Sequence, residues 1–239
     1  MNERLTLQGL TCLVTGASRG IGRASALALS DRGAQVVGMA RSRDALENLE
    51  RECGARPLVV DLADDAGIWA AIDELAESEL GSPDVVVNAA GVFGIESCSS
   101  TSVNSFDEHV RINLRAPFIL TRAVLPKMLE RKSGLVVNIG SIAGRKAFSG
   151  NGAYSASKYG LRGFHEVLLE EIRGTGVRAS LIEPAATDTP LWDEINPDAN
   201  PDLPNRVDML TPDQVAQAVV FVATRPEGVS VPYLAVERG

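Results

Sequence analysis

Short runs of Val, Leu and Ile alternate along the chain with longer amphipathic stretches. The short runs predict strands buried on both faces, and the stretches between them carry helix-forming residues at helical spacing. The predicted strands are residues 10–15, 35–40, 56–61, 84–88, 134–139, 177–183 and 230–236. The predicted helices are residues 21–30, 43–52, 65–79, 106–131, 154–173 and 212–224. This repetition is typical of an α/β fold with a Rossmann-type, doubly wound parallel sheet and helices on both faces.

The length of the chain and one unusual segment bear on its organisation. A chain of 239 residues lies within the range of one α/β domain, and no linker or low-complexity tract divides it. We therefore expect residues 1–239 to form a single catalytic domain. Residues 190–210 interrupt the pattern with several prolines and acidic residues. We interpret this segment as a substrate lid, with a solvated surface excursion as the alternative.

Composition argues against several classes of ligand. The net charge of −8 disfavours nucleic acid, because binding to phosphates needs a basic surface. The three cysteines lack paired spacing and the two histidines lack ligand-type neighbours, so we expect neither disulfides nor a metal. We expect His109 and His165 to lie either on a helix surface or in the core with their ring nitrogens hydrogen-bonded.

The sequence also carries no signal for export or membrane insertion. Glu3 and Arg4 stand where a secretory signal would become apolar, and no apolar run has the length of a bilayer span. We therefore expect a cytoplasmic protein with no membrane partner.

A glycine-rich loop, Thr15-Gly-Ala-Ser-Arg-Gly-Ile-Gly22, follows the first predicted strand and opens the first predicted helix. In that position backbone N–H groups and the helix dipole can hold a pyrophosphate, and glycines let the backbone approach it. The glycine spacing differs from the commoner dinucleotide fingerprint, so the prediction depends on the position of the loop after strand one. A turn without a ligand is the alternative.

The loop resembles that of the classical short-chain dehydrogenases/reductases, and the resemblance extends over nearly the whole chain. Asp61 resembles the acid that contacts adenine in that family, and Asn88-Ala-Ala-Gly91 resembles its Asn-Asn-Ala-Gly segment with Ala89 replacing the second asparagine. A helix cap or a turn would also suit Asp61 and Asn88. The resemblance implies an NAD(P) site formed by Gly16, Ser18, Arg19, Gly20, Ile21, Gly22, Arg41, Asp61, Leu62, Asn88, Ala89, Gly91, Tyr154, Lys158, Pro184, Thr187 and Thr189.

The end of the second strand bears on which nicotinamide cofactor binds. Sites that read NAD place an acid there for the ribose hydroxyls, whereas a 2′-phosphate calls for arginine. By the resemblance, Ala40 occupies the place of the acid, Arg41 follows it, and Arg19 is a second phosphate contact. Guanidinium groups suit phosphate because their donors form a fixed fork. We expect NADP(H) in preference to NAD(H); the alternatives are that Asp44 acts as the acid or that the arginines are solvated surface charges.

Four residues match the catalytic tetrad of the family. Tyr154 and Lys158 lie four residues apart in Tyr-Ser-Ala-Ser-Lys, so they share one face of a predicted helix. Ser141 follows the fifth predicted strand, at the family's separation from the tyrosine, and Asn113 matches the remaining member. A helix surface pair and a helix cap are the alternative interpretation.

The chemistry of a tyrosine acid/base depends on its pKa. Free tyrosine titrates at about 10, and a lysine ammonium about 4 Å away would stabilise the phenolate by about 4 kcal/mol. We expect Lys158 to lower the pKa of Tyr154 in this way and Ser141 to hydrogen-bond the substrate oxygen. The resemblance gives Asn113 a water-linked proton relay to Lys158.

A segment after the sixth strand, Pro184-Ala-Ala-Thr-Asp-Thr189, resembles the part of the family that holds the nicotinamide carboxamide, with Thr189 as its threonine. Ala185 stands where glycine is usual. If the backbone needed a positive φ there, alanine would bring strain or a shifted loop.

These features predict an NADP-dependent oxidoreductase that interconverts a small ketone or aldehyde with a secondary alcohol, 3-hydroxy acids among the candidates. A 3-oxoacyl thioester (acyl-carrier-protein) reductase is the alternative enzyme, with Arg145, Lys146 and Arg162 as a basic docking surface. A non-catalytic dinucleotide-sensing module is the alternative outside enzymes, and the intact catalytic residues count against it. The resemblance also implies a homodimer or homotetramer paired through the fourth and fifth predicted helices.

Overall fold

The computed structural model describes residues 6–239; residues 1–5, which include Glu3 and Arg4, lie outside the described range. Seven parallel strands form one sheet, which confirms the predicted Rossmann-type α/β fold. The strands are β1 Thr11–Thr15, β2 Gln35–Ala40, β3 Arg56–Val59, β4 Val85–Asn88, β5 Gly134–Ile139, β6 Val177–Pro184 and β7 Tyr233–Val236.

Helices connect the strands. They are α1 Gly20–Ser30, α2 Arg43–Cys53, α3 Asp65–Glu77, α4 Val103–Val110, α5 Ala116–Glu130, α6 Gly152–Glu171 and α7 Pro212–Ala223. A π-helical turn, Arg111–Arg115, joins α4 to α5, so the two helices and the turn run on without interruption.

The order of the strands places a crevice at the middle of the sheet. The order is β3-β2-β1-β4-β5-β6-β7, with each neighbouring pair parallel. The chain builds outward from β1 on one side and then returns to place β4 on the other side. Because the connections that leave β1 and β4 diverge, ligands bind such sheets at the carboxyl ends of these strands.

The sheet is buried on both faces. In β1, Cys12 and Val14 pack into one apolar cluster with α1, α2 and α7, and Leu13 packs into the opposite cluster with α3 and α5. Alternate residues of a strand point to opposite faces, so a continuous apolar run is required here. This packing holds the carboxyl ends of the strands as a rigid floor for the crevice.

The boundaries of several elements differ from the prediction, by up to three residues. The fourth predicted helix begins at Val103 rather than 106, because the Ser102 Oγ accepts a hydrogen bond from the N–H of Ser105 at 3.0 Å and so caps it. β7 begins at Tyr233 rather than 230, directly after Pro232, which has no N–H for the ladder. β3 ends at Val59, two residues earlier than predicted.

None of the helices within residues 6–239 combines the length and the apolar character needed to cross a bilayer.

Candidate active site

The glycine-rich loop lies close against the end of β4. Gly16 has a φ of +67°, and a Cβ there would lie 2.8 Å from the Ala90 Cα. A Cβ on Gly22 would lie 2.3 Å from the carbonyl oxygen of Gly16. Any side chain at either position would push the loop away from its neighbours. The backbone therefore reaches the crevice directly, and the N-terminus of α1 opens onto it.

A cleft of about 420 Å³ lies above this loop. It is bordered by the ends of β1, β2 and β4, the start of α1, α4 and the residues after β6. The predicted cofactor-binding residues that line it are Gly16, Ser18, Arg19, Gly20, Ile21, Arg41, Asp61, Leu62, Ala89, Gly91 and Thr189.

Other predicted cofactor-binding residues lie behind the walls of the cleft. Asn88 is buried and donates a hydrogen bond from Nδ2 to Asn138 Oδ1 at 2.8 Å. Thr187 is buried and donates to the carbonyl oxygen of Ala185 at 3.0 Å, and Pro184 is the last residue of β6. Gly22 packs beneath Gly16. These residues support the shape of the cleft rather than its surface.

One wall of the cleft was not predicted from the sequence. Asn104, Asp107, Glu108 and Arg111 line it from α4 and the π-helical turn, together with Ile112. Their spacing places them on one helical face. This spacing, directly before Asn113, was available in the sequence, but the predicted helix began too late to include Asn104.

Two arginines give the cleft a basic edge. Arg19 and Arg41 line it and are exposed, and within residues 6–239 neither forms a salt bridge. Asp44, by contrast, lies in the first turn of α2 and does not line the cleft. A glycine cradle at a helix N-terminus, beside unpaired guanidinium groups, fits the phosphates of a dinucleotide.

Ser141, Tyr154 and Lys158 come together at the end of β5. The Ser141 Oγ caps a short 3₁₀ turn by accepting from the N–H of Ala143 at 3.1 Å, and the same side chain is close enough to Tyr154 to lower the pKa of its phenol. Lys158 lies one turn along α6, with Nζ 5.7 Å from the centre of the Tyr154 ring. The serine therefore acts as a cap and also contacts the tyrosine.

The pKa of Tyr154 differs from the expectation. Burial raises the pKa of the Tyr154 phenol, and the Ser141 hydrogen bond lowers it by less. Burial also lowers the pKa of Lys158 to about 8, and its Nζ donates to the carbonyl oxygen of Ile139 at 2.9 Å. The predicted lowering of the tyrosine pKa by Lys158 is therefore not found. The reason is that burial penalises both charged forms.

Asn113 is fully buried in the π-helical turn. Its Oδ1 accepts from the N–H of Val92 at 2.8 Å, and its Nδ2 donates to the Val92 carbonyl oxygen and to Ser157 Oγ, each at 3.0 Å. The amide hydrogens are thereby both used. The side chain thereby ties the loop after β4 to α6.

An aromatic cluster, which we define as Phe93, Tyr154 and Trp192, forms beside these residues. Phe93 contacts both other rings edge to face, with centroid distances of 4.8 Å to each. Phe93 was not among the site residues predicted from the sequence. Trp192 is buried against it.

The two histidines have different surroundings. His165 is buried with both ring nitrogens near polar partners, Pro232 O at 3.0 Å and Asn138 Nδ2 at 3.4 Å, as expected for a core residue. His109 is also buried, and Nδ1 lies 2.8 Å from the Ser105 carbonyl oxygen. Its Nε2, however, has no hydrogen-bond partner in the described part of the chain. The expectation of a satisfied or surface position is therefore wrong for His109.

The segment 190–210 contains three short 3₁₀ turns and folds back onto the end of β6. Leu210 closes it with two backbone hydrogen bonds, to Ala186 O at 2.9 Å and from Asp188 N at 2.8 Å. Arg206 forms ion pairs with Asp188 at 2.6 Å and Asp193 at 2.8 Å. The segment is thus ordered, and it begins at the rim of the cleft.

Ala185 occupies the usual glycine position without strain. Among residues 6–239, the non-glycine residues with positive φ are Lys132 and Asn196, and Ala185 is not one of them. Its N–H donates to the carbonyl oxygen of Val236 at 2.8 Å, as a continuation of the sheet. The strain considered for this alanine is therefore absent.

Comparison with known proteins gives the family. The family model described as short chain dehydrogenase matches residues 10–200. The chain belongs to the short-chain dehydrogenase family. Members are NAD(P)-dependent oxidoreductases of small molecules, so this short-chain dehydrogenase uses a nicotinamide cofactor.

Curated relatives match most of this short-chain dehydrogenase. It is 36% identical over 227 residues to a D-threitol dehydrogenase of Mycolicibacterium smegmatis, covering 91% of this chain and 87% of the relative. It is 30% identical over 225 residues to a 3-oxoacyl-[acyl-carrier-protein] reductase of Salmonella typhimurium, covering 92% of each.

Solved structures show the same fold. A serine dehydrogenase in a closed form complexed with NADP+ matches with a TM-score of 0.87 and 30% identity, over 95% of this chain and 94% of that one. A metagenomic short-chain oxidoreductase in complex with NADP matches with a TM-score of 0.83 and 33% identity, over 98% of this chain and 99% of that one.

Proposed function

We propose that this short-chain dehydrogenase is NADP-dependent and interconverts a small ketone or aldehyde with a secondary alcohol, 3-hydroxy acids among them. The observation that carries the proposal is the grouping of Ser141, Tyr154 and Lys158 at the end of β5, with the ammonium of Lys158 5.7 Å from the centre of the Tyr154 ring. Two relatives, named for D-threitol and for a 3-oxoacyl chain, support this reaction, because one substrate holds secondary alcohols and the other a ketone.

The cofactor site comprises the residues that line the cleft and those that support it. The loop from Gly16 to Gly22 would hold the pyrophosphate, and Asp61 with Leu62 would contact the adenine end. Thr189 would hold the carboxamide of the nicotinamide. Arg19 and Arg41 favour NADP, because an unpaired guanidinium at the cleft edge suits a 2′-phosphate. Two solved relatives that hold NADP support this choice.

Tyr154 acts as the acid/base that transfers the proton. The bound nicotinamide supplies or accepts the hydride, and an oxidised ring adds positive charge near the phenol. In the reductive direction Tyr154 donates its proton to the carbonyl oxygen, which Ser141 also hydrogen-bonds. Lys158 stabilises the resulting phenolate. Because the Asn113 amide is used by Val92 and Ser157, its main-chain carbonyl would hold the water of a relay.

The thioester reductase is the second candidate, and the relative of Salmonella typhimurium favours it. The residues that would dock an acidic carrier are mostly neutralised. Arg145 pairs with Glu183 and Glu237, and Arg162 pairs with Glu183 and Glu166. This leaves little free positive charge for a carrier protein, so free carbonyl compounds are the better candidates.

We also propose that residues 1–239 act as one catalytic domain and that the segment 190–210 is the substrate lid. Pro190 and Leu191 at its start line the cleft. For the subunit interface we propose the outer faces of α5 and α6, where Phe118 is 46% and Val167 57% exposed. Exposed apolar side chains of this size on two adjacent helices suit a homodimer or homotetramer.

The test is a titration of purified protein with NADPH and, separately, NADH, followed by nicotinamide fluorescence. Ketones, aldehydes and acetoacetyl thioesters are then added to the tighter complex. Tighter binding of NADPH and its oxidation by a free ketone or aldehyde would support the proposal. Oxidation by thioesters alone would favour the second candidate, and binding without oxidation by any carbonyl would favour a sensing module.

A further inference from the structure

His109 is a buried polar side chain with no assigned role at the edge of the catalytic residues. It is 6% exposed and lies on α4, one helical turn before Asn113. Its ring contacts that of Tyr154 in a T-shaped arrangement, with a centroid distance of 6.3 Å. It therefore lies beside the tyrosine that reaches the substrate oxygen.

The hydrogen bond of Nδ1 determines what Nε2 can do. A carbonyl oxygen only accepts, so the contact of 2.8 Å to Ser105 O makes Nδ1 the donor. In the neutral ring Nε2 is then a hydrogen-bond acceptor. Among residues 6–239 nothing donates to it. A buried acceptor without a donor is destabilising, so such a group is expected where a ligand completes it.

Nε2 is buried, and the residue beside it is a glycine. A Cβ on Gly94 would lie 3.8 Å from Cε1 and 3.9 Å from Nε2 of His109. Gly94 follows Phe93, which packs on Tyr154 and Trp192. The acceptor edge of the imidazole thus faces the chain beside the aromatic cluster and Tyr154, the residue to which the proposed reaction assigns the substrate oxygen; His109 itself lies behind the lining of the cleft.

We propose that His109 is a specificity-determining residue whose Nε2 accepts a hydrogen bond from a second hydroxyl of the substrate, close to the reacting carbon. The preferred substrates would then be hydroxyketones and their diols rather than simple ketones and alcohols. The inference rests on the proposed carbonyl–alcohol reaction, and it names the substrate class for that site. A site that pairs with a substrate hydroxyl discriminates against the analogue without it, because the acceptor is then left unpaired.

The experiment compares kcat/KM for two matched pairs of ketones, acetoin against butanone and hydroxyacetone against acetone, with NADPH. The wild type is expected to prefer the hydroxylated member of each pair. In His109→Phe, which keeps a ring but has no acceptor, the preference should fall about tenfold. In His109→Gln, whose side-chain oxygen is an acceptor, part of the preference should remain.

Gly94→Ala provides a second test, in which the residue beside Nε2 is changed and His109 is kept. The added methyl group fits at ordinary contact distance and occupies the space beside Nε2. It should reduce the same preference while His109 is retained. Thermal unfolding gives a further readout: His109→Phe should lose little stability, because removal of the unpaired buried acceptor offsets the loss of the Nδ1 hydrogen bond to the Ser105 carbonyl oxygen.

Each outcome is decisive. A preference that is absent in the wild type, or unchanged in His109→Phe, overturns the role of His109 and leaves the proposed reaction standing. An equal loss for both members of each pair, with lower stability, would make His109 a packing residue and also overturns it. If the wild type reduces no carbonyl at all, the proposed function fails and this inference with it.

Discussion

Lys158 donates a hydrogen bond from Nζ to the carbonyl oxygen of Ile139 at 2.9 Å. This contact holds the ammonium at the end of β5, beside the ring of Tyr154, and in the described part of the chain no carboxylate pairs with it. Burial lowers the pKa of Lys158 to about 8. The charge that would stabilise a phenolate is therefore lost near physiological pH rather than far above it.

The pH dependence of reduction should reflect this lysine. We expect kcat/KM for a ketone to fall as pH rises through about 8, because Lys158 loses its proton while the raised pKa of Tyr154 keeps the phenol protonated. A pH profile of initial rates measures it. Lys158→Arg, which stays charged, should lack the fall whatever its absolute rate. A fall that persists in that variant would assign the titration to another group.

Removal of the Tyr154 hydroxyl should separate chemistry from binding. We expect Tyr154→Phe to lower kcat at least about a hundredfold, because the proton donor is lost, with little change in the Kd for NADPH. Tyr159→Phe is the matched control, since Tyr159 is 46% exposed on the same helix and should keep wild-type rates. Equal rates in the two variants would contradict the assigned mechanism.

The arginine after β2 should discriminate between the two cofactors. We expect Arg41→Ala to weaken NADPH binding about tenfold or more and NADH binding much less, because a charge-assisted hydrogen bond to phosphate is lost. Arg43→Ala, two residues further and outside the cleft lining, is the control. Fluorescence titration gives both constants. Equal weakening of NADPH and NADH would place the phosphate elsewhere.

The ion pairs of Arg206 should hold the segment 190–210 in place. We expect Arg206→Ala to speed amide hydrogen exchange in this segment several-fold, because the contacts to Asp188 and Asp193 are lost. Arg173→Ala, which removes the pair with Glu170 on α6, should not affect it. Unchanged exchange in Arg206→Ala would show that the backbone contacts of Leu210 alone fix the segment.

His165 should make the protein sensitive to acid. Burial, with a smaller effect of Arg162, lowers the pKa of His165 to about 4 against the opposing effects of Pro232 O and Glu166. The unfolded chain binds this proton at about pH 6.5, so stability is full above that pH and is lost as pH falls toward about 4. The loss amounts to roughly 3 kcal/mol.

Urea unfolding at about pH 7 and about pH 4.5 measures this loss. His165→Gln has no titrating ring, so the difference in unfolding free energy between the two pH values should be smaller than in the wild type. An equal pH dependence in both proteins would show that other groups bind the protons.

The fold and the position of the cleft could both be predicted from the amino-acid pattern. Buried parallel strands require continuous apolar runs, and such runs are visible in Cys12–Leu13–Val14 without any structure. The role of Gly16 and Gly22 could also be predicted from the sequence, because only a residue without a side chain allows the close approaches found there. Helix caps can be recognised from the residue type as well: Ser102 is the N-cap of α4, so the true start of this helix could have been predicted.

The surroundings of the side chains in the site, by contrast, result from tertiary contacts. The pKa of Tyr154 and of Lys158 depends on burial, which arises from residues distant in sequence, so local spacing predicted the wrong direction for the tyrosine. The unpaired Nε2 of His109 likewise results from what α4 and the loop at Gly94 bring together. Periodicity records which face of an element is apolar, whereas hydrogen bonding and desolvation in a site are properties of contacts between elements.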